Sequence, residues 1–263
     1  LNPPEELLRL TKSLKQRLLL EKAFGVDFLP KTPPKNLYAV EGLPKKEAPN
    51  LPQESQPISQ EIKEPSLHYT PAKKIEGDDR VERLSELGKV ASTCTKCRLS
   101  QSRTKVVFGV GDPFARLMFI GEGPGYDEDQ QGEPFVGRAG QLLTKIIEAM
   151  KLTRQVVYIA NMVKCRPPEN RTPRPDEMFI CFENYLKWQI EWIKPKVICA
   201  LGSCATQGLL KTKEPIGSLR GRFHDYNGIK LMPTFHPAYL LRNPQDKSKC
   251  WQDMKKILKE LES

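Results

Sequence analysis

The sequence predicts an α/β fold of three layers, with helices over both faces of a central four-stranded parallel sheet held within residues 80–263. Three observations carry that prediction. Short apolar runs recur along the second part of the chain: Leu117–Gly121 (LMFIG), Val156–Ala160 (VVYIA), Val197–Leu201 (VICAL) and Ile229–Met232. Helix-forming stretches alternate with them, the order that produces parallel strands through helical crossovers. The runs are continuously apolar, as strands buried on both faces are.

The elements follow in order. The leading residues, 1–25, read as an amphipathic helix: Leu7, Leu8, Leu10, Leu14 and Leu18 recur at helical spacing among Lys and Arg. The first residue is Leu, as in a trimmed chain. No small-residue cleavage site follows Leu18-Leu19-Leu20, so this stretch does not read as a signal peptide. Residues 26–79 read as a flexible linker rich in Pro, Lys and Glu. Nine prolines fall between Pro30 and Pro71, a density that breaks helix and ladder alike and leaves little apolar surface to bury. A helix is expected over Arg80–Ala91, another over Ala139–Met150, and a long one over Pro175–Trp192, opened by proline in its first turn. A short helix follows Gly202, and Lys247–Leu261 closes the chain.

Mean hydropathy is -0.51 and apolar content 38%, low for a chain packed throughout. No run approaches the ~20 apolar residues that cross a bilayer. No membrane span is expected, and a monomer in the reducing cytoplasm is, where disulfides are rare. The net charge of +10 is unevenly placed: Lys and Arg exceed Asp and Glu by one in residues 1–84 and by nine in residues 85–263. A basic folded half is the footprint of a polyanion binder, though solubility charge gives the same count.

In sheets of this kind ligands collect at the carboxyl ends of strands. Three loops there carry unusual residues. The first runs GEGPGYDEDQQGEPFVGRAGQLL from Gly121 to Leu143; it lacks the closing Gly-Lys-Ser/Thr of a phosphate loop and the Rossmann glycine spacing. The second, Asn161-Met162-Val163-Lys164-Cys165-Arg166, opens on an amide that either caps a turn or reads a base edge. The third, HPAYLLRNP from His236 to Pro244, holds one of only three histidines. Its Leu240-Leu241-Arg242 tip fits a core-packed first turn, or an apolar wedge for a base stack with Arg on phosphate.

Seven cysteines complete the inventory. Cys94-x2-Cys97 precedes the sheet, Cys165 follows the second strand, and Cys181 lies in the long helix. Structural zinc usually shows a pair at each end, so a single pair leans towards an iron–sulfur cluster; a thioredoxin-like redox pair lacks its flanking pattern. Cys199 and Cys204 read as small core residues, and Cys250 has no evident partner.

With these segments in this order the chain resembles the family-4 uracil-DNA glycosylases over roughly Leu84 to Leu261. The resemblance implies a uracil-DNA-glycosylase-like fold and a catalytic domain over residues 80–263. It implies a monofunctional enzyme that excises uracil from single- or double-stranded DNA to start base excision repair. It implies a [4Fe–4S] cluster on Cys94, Cys97, Cys165 and Cys181. Phe135 would stack on the extruded uracil, Asn161 would read its O4 and N3 edge, and Glu128 would crowd the C5 position where thymine carries a methyl. Glu122 and Gly123 would flank the scissile bond and its water, and His236 would donate to O2. Leu240, Leu241 and Arg242 would contact DNA. Gly123 stands where better-known uracil glycosylases carry a water-orienting Asp, leaving Glu122 or backbone to hold the water. No long basic insertion precedes His236, so the sugar is not expected to be trapped covalently. Two other classes fit fewer features: a non-catalytic iron–sulfur module that binds nucleic acid or senses redox state, and a zinc-stabilised nucleotide hydrolase.

Overall fold

The computed structural model describes residues 78–263. The expected leading helix and the linker up to residue 77 lie outside the described residues. Helix α1 (Arg80–Ser92) opens the fold; the backbone carbonyl of Asp79 accepts from Arg83 N–H at its start. Strands β1 (Val110–Gly111) and β2 (Leu117–Gly121) follow, then helices α2 (Tyr126–Gln131) and α3 (Arg138–Ala149) and strand β3 (Tyr158–Asn161). Helix α4 (Pro175–Cys181) continues through a π-turn, Phe182–Leu186, into α5 (Lys187–Ile193). Strand β4 (Val197–Leu201), helices α6 (Gly202–Leu210) and α7 (Ile216–Leu219), and strands β5 (His224–Tyr226) and β6 (Ile229–Thr234) come next. Helices α8 (Pro237–Arg242) and α9 (Lys247–Glu262) end the chain.

The sheet has six strands in the order β1-β3-β2-β4-β6-β5. The four predicted strands form its middle and run parallel, and the two edge strands pair antiparallel. Those edges carry two and three residues, too few for a periodic signal. Along β2, alternate residues serve opposite layers. Met118 and Ile120 pack with Leu84, Leu186, Ile190 and Leu209 from α1, the π-turn, α5 and α6. Leu117 and Phe119 face the other way, where α3 and α9 supply further buried apolar residues. Every residue of β2, β3 and β4 is buried, which is why their sequences show no polar alternation.

The chain leaves β2 to one side for β3 and later returns on its other side as β4, so connections diverge around β2. The register aligns Gly121 with Asn161 and Leu201 with Thr234 at the carboxyl edge. A crevice there is the ordinary consequence of such divergence. The three loops singled out from the sequence all start from this edge.

Candidate active site

A cavity of about 500 Å³ opens at that edge. Glu122, Gly123, Glu128, Phe135, Asn161, His236 and Arg242 all line it, together with Pro167, Asn170 and Arg171 of the loop after β3. Three separated segments therefore meet in one slot.

Asn161 is the last residue of β3 and is 1% exposed. Its side-chain Oδ1 is buried with no hydrogen-bond partner. Orphaned buried acceptors are rare because each costs about 1–3 kcal/mol, and one lining a cavity marks where a ligand donor belongs. A Cβ built on Gly121 would lie 2.5 Å from both Asn161 Oδ1 and the Phe135 ring, so only glycine lets both side chains reach this spot. Lys164, 1% exposed, donates from Nζ to Asn161 O (3.0 Å) and to Gln189 Oε1 (2.6 Å), fixing the backbone beneath the amide.

Phe135 stands at the tip of the first loop with φ of 56°, a left-handed conformation costly for a bulky residue. Arg154 holds it there, donating to Pro134 O (2.7 Å) and Phe135 O (3.1 Å). Gly140 of α3 lets the Phe135 carbonyl pass so close that any Cβ would overlap it. The Phe135 and His236 rings lie 5.7 Å apart between centroids, tilted by 34°.

His236 caps α8. Its Nδ1 accepts the Ala238 backbone N–H at 3.1 Å, so the ring proton resides on Nε2. Burial, aided by the nearby Arg242 charge, lowers its pKa to about 4, and the ring is a neutral donor at physiological pH. Glu122 sits half-buried, its carboxyl pKa raised by burial although Thr172 and Cys204 side chains hydrogen-bond to it. A Cβ on Gly123 would meet Val163 Cγ2 at 2.7 Å, so an Asp does not fit there without displacing Val163. Glu128 accepts three backbone N–H groups, from Gly125 (3.1 Å), Val136 (2.9 Å) and Gly137 (2.9 Å). Its carboxylate is locked in place and ties the two halves of the loop together.

Two features differ from expectation. Leu240 is fully buried, because α8 turns it towards the core; of the proposed DNA-contacting tip only Leu241, 38% exposed, and Arg242 face outward. Cys204 does not merely fill the core: it is half-buried against Glu122 and Met178, its Sγ 3.3 Å from Met178 Sδ. Thr172, Arg154, Lys164 and Cys204 carried no signal of site duty in the sequence. Lys and Arg read as solvated charge, and the partners that reveal them come from distant segments.

Cys94, Cys97, Cys165 and Cys181 line one small cavity with Ala91, Lys164 and Tyr185, inside an apolar cluster that also holds Leu99 and Val163. Lys164 N–H donates to Cys181 Sγ (3.2 Å) and Arg103 to Cys165 Sγ (3.4 Å), contacts suited to thiolates. Among the described residues no three His, Cys, Asp or Glu side chains converge closely enough to hold a single metal ion. Four thiols around one apolar cavity are a donor set that an iron–sulfur cluster, whose iron atoms each take one thiolate, can use. Cys199 and Cys250 lie buried elsewhere.

The model of the uracil DNA glycosylase superfamily matches residues 108–255. The type-4 uracil-DNA glycosylase of Thermotoga maritima is 48% identical over 62% of this chain and 86% of its own length. That of Saccharolobus solfataricus is 45% identical, over 65% and 82%. The Archaeoglobus fulgidus protein of the same description is 40% identical, over 67% and 92%.

Proposed function

As a member of the uracil DNA glycosylase superfamily, of the type-4 branch, this chain we propose to be an enzyme that hydrolyses the bond between uracil and deoxyribose in DNA, leaving an abasic site for base excision repair. The observation that carries the reading is the unpartnered Asn161 Oδ1, buried beside an aromatic ring and a neutral imidazole donor in one cavity with room for a base.

Uracil offers an N3–H donor flanked by the O4 and O2 acceptors. Oδ1 of Asn161 accepts from N3–H and its amide donates to O4. Cytosine, with an acceptor at N3 and a donor at C4, inverts both contacts; such bidentate reading discriminates by ~1–3 kcal/mol. Stacking on Phe135 offsets part of the cost of extruding the base. Glu128, held by its three N–H bonds, forms a rigid wall against a C5 methyl.

As the C1′–N1 bond breaks, its electron pair passes to the uracil ring and charge grows on O2. Nε2–H of His236 donates to that oxygen. Water adds its oxygen to C1′ and loses a proton to solvent or to Glu122, which holds the water from its half-buried carboxylate. Loss of a single donor to a developing oxyanion commonly costs ~100-fold or more in rate. Leu241 enters the stack in place of the extruded base and Arg242 pairs with phosphate.

Cys94, Cys97, Cys165 and Cys181 would hold a [4Fe–4S] cluster, which when bound ties their segments together beside the cavity. Residues 80–263 constitute the catalytic domain, acting as a monomer in the cytoplasm.

Excision assays on oligonucleotides with uracil opposite G, opposite A and in single strands test the reading. Release is expected from each, with Asn161→Ala losing nearly all release but keeping DNA binding. An Asn161→Ala protein that excises at the parent rate would remove the pocket from the chemistry.

A further inference from the structure

A second feature at the cavity mouth plays no part in the chemistry above. Tyr126, the first residue of α2, is 58% exposed, the more exposed of the two exposed tyrosine or tryptophan residues among the described residues. It follows Gly125, which lines the cavity. Arg166 lies over its ring, the guanidinium carbon 5.1 Å from the centroid. Arg166 Nε in turn donates to Asn170 Oδ1 at 2.8 Å, and Asn170 also lines the cavity. Glu169 and Asn170 both adopt left-handed backbone, each with φ of 55°, so the loop holding Asn170 is kept in an unusual shape.

The arrangement gives a flat aromatic surface at the rim, covered on one face by a cation and open on the other. Its orientation is set before any ligand arrives, so little side-chain freedom remains to be lost on binding. Asp127 and Glu169 are exposed on the same segments, and they disfavour a phosphate here. A neutral ring meets no such penalty, and every base presents one.

We propose that Tyr126, braced by Arg166, is a stacking platform for the base next to the extruded uracil on the same strand. The inference rests on the glycosylase reading and adds a nucleotide subsite to it. Once uracil leaves the stack both its neighbours lose a stacking partner, and beside the Leu241 wedge Tyr126, next in sequence to the cavity-lining Gly125, supplies an aromatic face for one of them. Such a contact is sequence-tolerant, so it serves affinity for the strand without restricting context.

Single-stranded oligonucleotides carrying 2-aminopurine immediately 5′ or 3′ of uracil, or of an uncleavable abasic analogue, provide the test, using the full chain. Tyr126→Ala should weaken binding and raise KM about tenfold with kcat within about twofold, while Tyr126→Phe should behave as the parent. On one side only, 2-aminopurine should be quenched by the parent and by Tyr126→Phe but not by Tyr126→Ala. Deleting the base on that side should penalise the parent and leave Tyr126→Ala indifferent. Equal binding, quenching and flank sensitivity in parent and Tyr126→Ala would overturn the platform while leaving excision standing. An Arg166→Gln protein whose binding loses about one unit of salt slope with flank sensitivity intact would overturn the bracing role of Arg166, since that marks a phosphate contact. A parent that quenches 2-aminopurine through Tyr126 yet frees no uracil would sink the glycosylase reading and keep the nucleotide subsite.

Discussion

Protonation of two side chains sets how this site responds to pH. His236 has an ordinary imidazole value near 6.5 when unfolded and one lowered to about 4 when folded, through burial and then Arg242. Between those values the unfolded chain takes up a proton that the folded chain refuses, so the contribution of this residue to stability falls as pH drops from about 6.5 towards about 4. His236→Asn should lose less melting temperature than the parent across that window, followed by calorimetry. In catalysis the direction is the same but the window is lower: the neutral Nε2–H donor persists above about 4, so His236 adds no limb to the rate profile between pH 5 and 8. Glu122 gives the profile an acid limb shifted upward, because burial raises its carboxyl pKa and activity rises as it ionises. Glu122→Gln should lower kcat and flatten that acid limb; an unchanged limb would assign it to another group. The residue types that carry this chemistry were legible because they stand in strand-following loops. Leu240 was not, since one residue along a helix separates surface from core, and Lys164 was not, since nothing local says that a lysine faces Gln189 and Asn161 O.

Elements bring those residues together through glycines placed where backbone must pass backbone. The four central strands were readable from continuous apolar runs to within two residues of their ends, and the edge strands were too short to read. Less visible was why the first loop carries so many glycines. Glycines of this kind allow close approach, but the sequence does not say by what; Gly121, Gly123 and Gly140 are each filled by a neighbour: the Phe135 ring, the Val163 side chain and the Phe135 carbonyl. None of the three has positive φ, so space and not conformation demands glycine there. Gly140→Ala should accordingly push Phe135 out of place while α3, a good host for alanine, remains helical. A displacement of about 1 Å in a positioned group costs on the order of 100-fold in rate. The expected result is a loss of that size in kcat/KM on uracil oligonucleotides with circular dichroism unchanged. Parent-level activity would mean that Phe135 is not the floor of the slot.

For the whole molecule the question is how a small cavity stays assembled when its walls come from segments far apart in sequence. The sheet fixes Gly121 and Asn161 by register, and Met162 and Val163 donate to Gly121 O and Glu122 O, but the loop from Cys165 to Arg174 contains no strand. The cysteines bear on that loop directly. Cys165 lies four residues beyond Asn161, Lys164 N–H donates to Cys181 at the end of α4, and Arg103 joins Cys165 to the Cys94 carbonyl beyond α1. A cluster held by these four sulfurs would clamp the loop, α1 and α4 at one point, outside the uracil slot. Binding to the folded state alone stabilises it, and for a domain of this size each kcal/mol raises the melting temperature by ~2–4 °C. Cys181→Ser, purified alongside the parent, should therefore lose bound iron and the brown colour and melt several degrees lower. Its kcat/KM on uracil should fall as Asn161 loses its support, even though no sulfur reaches the base. Separating the two effects needs Lys164→Met, which keeps all four cysteines but removes the bonds to Asn161 O and Gln189. Retained iron with reduced excision in that variant would show that the route from cysteines to base reader runs through residue 164. A Cys181→Ser protein without iron that melts and excises like the parent would reduce the cysteine cavity to a bystander.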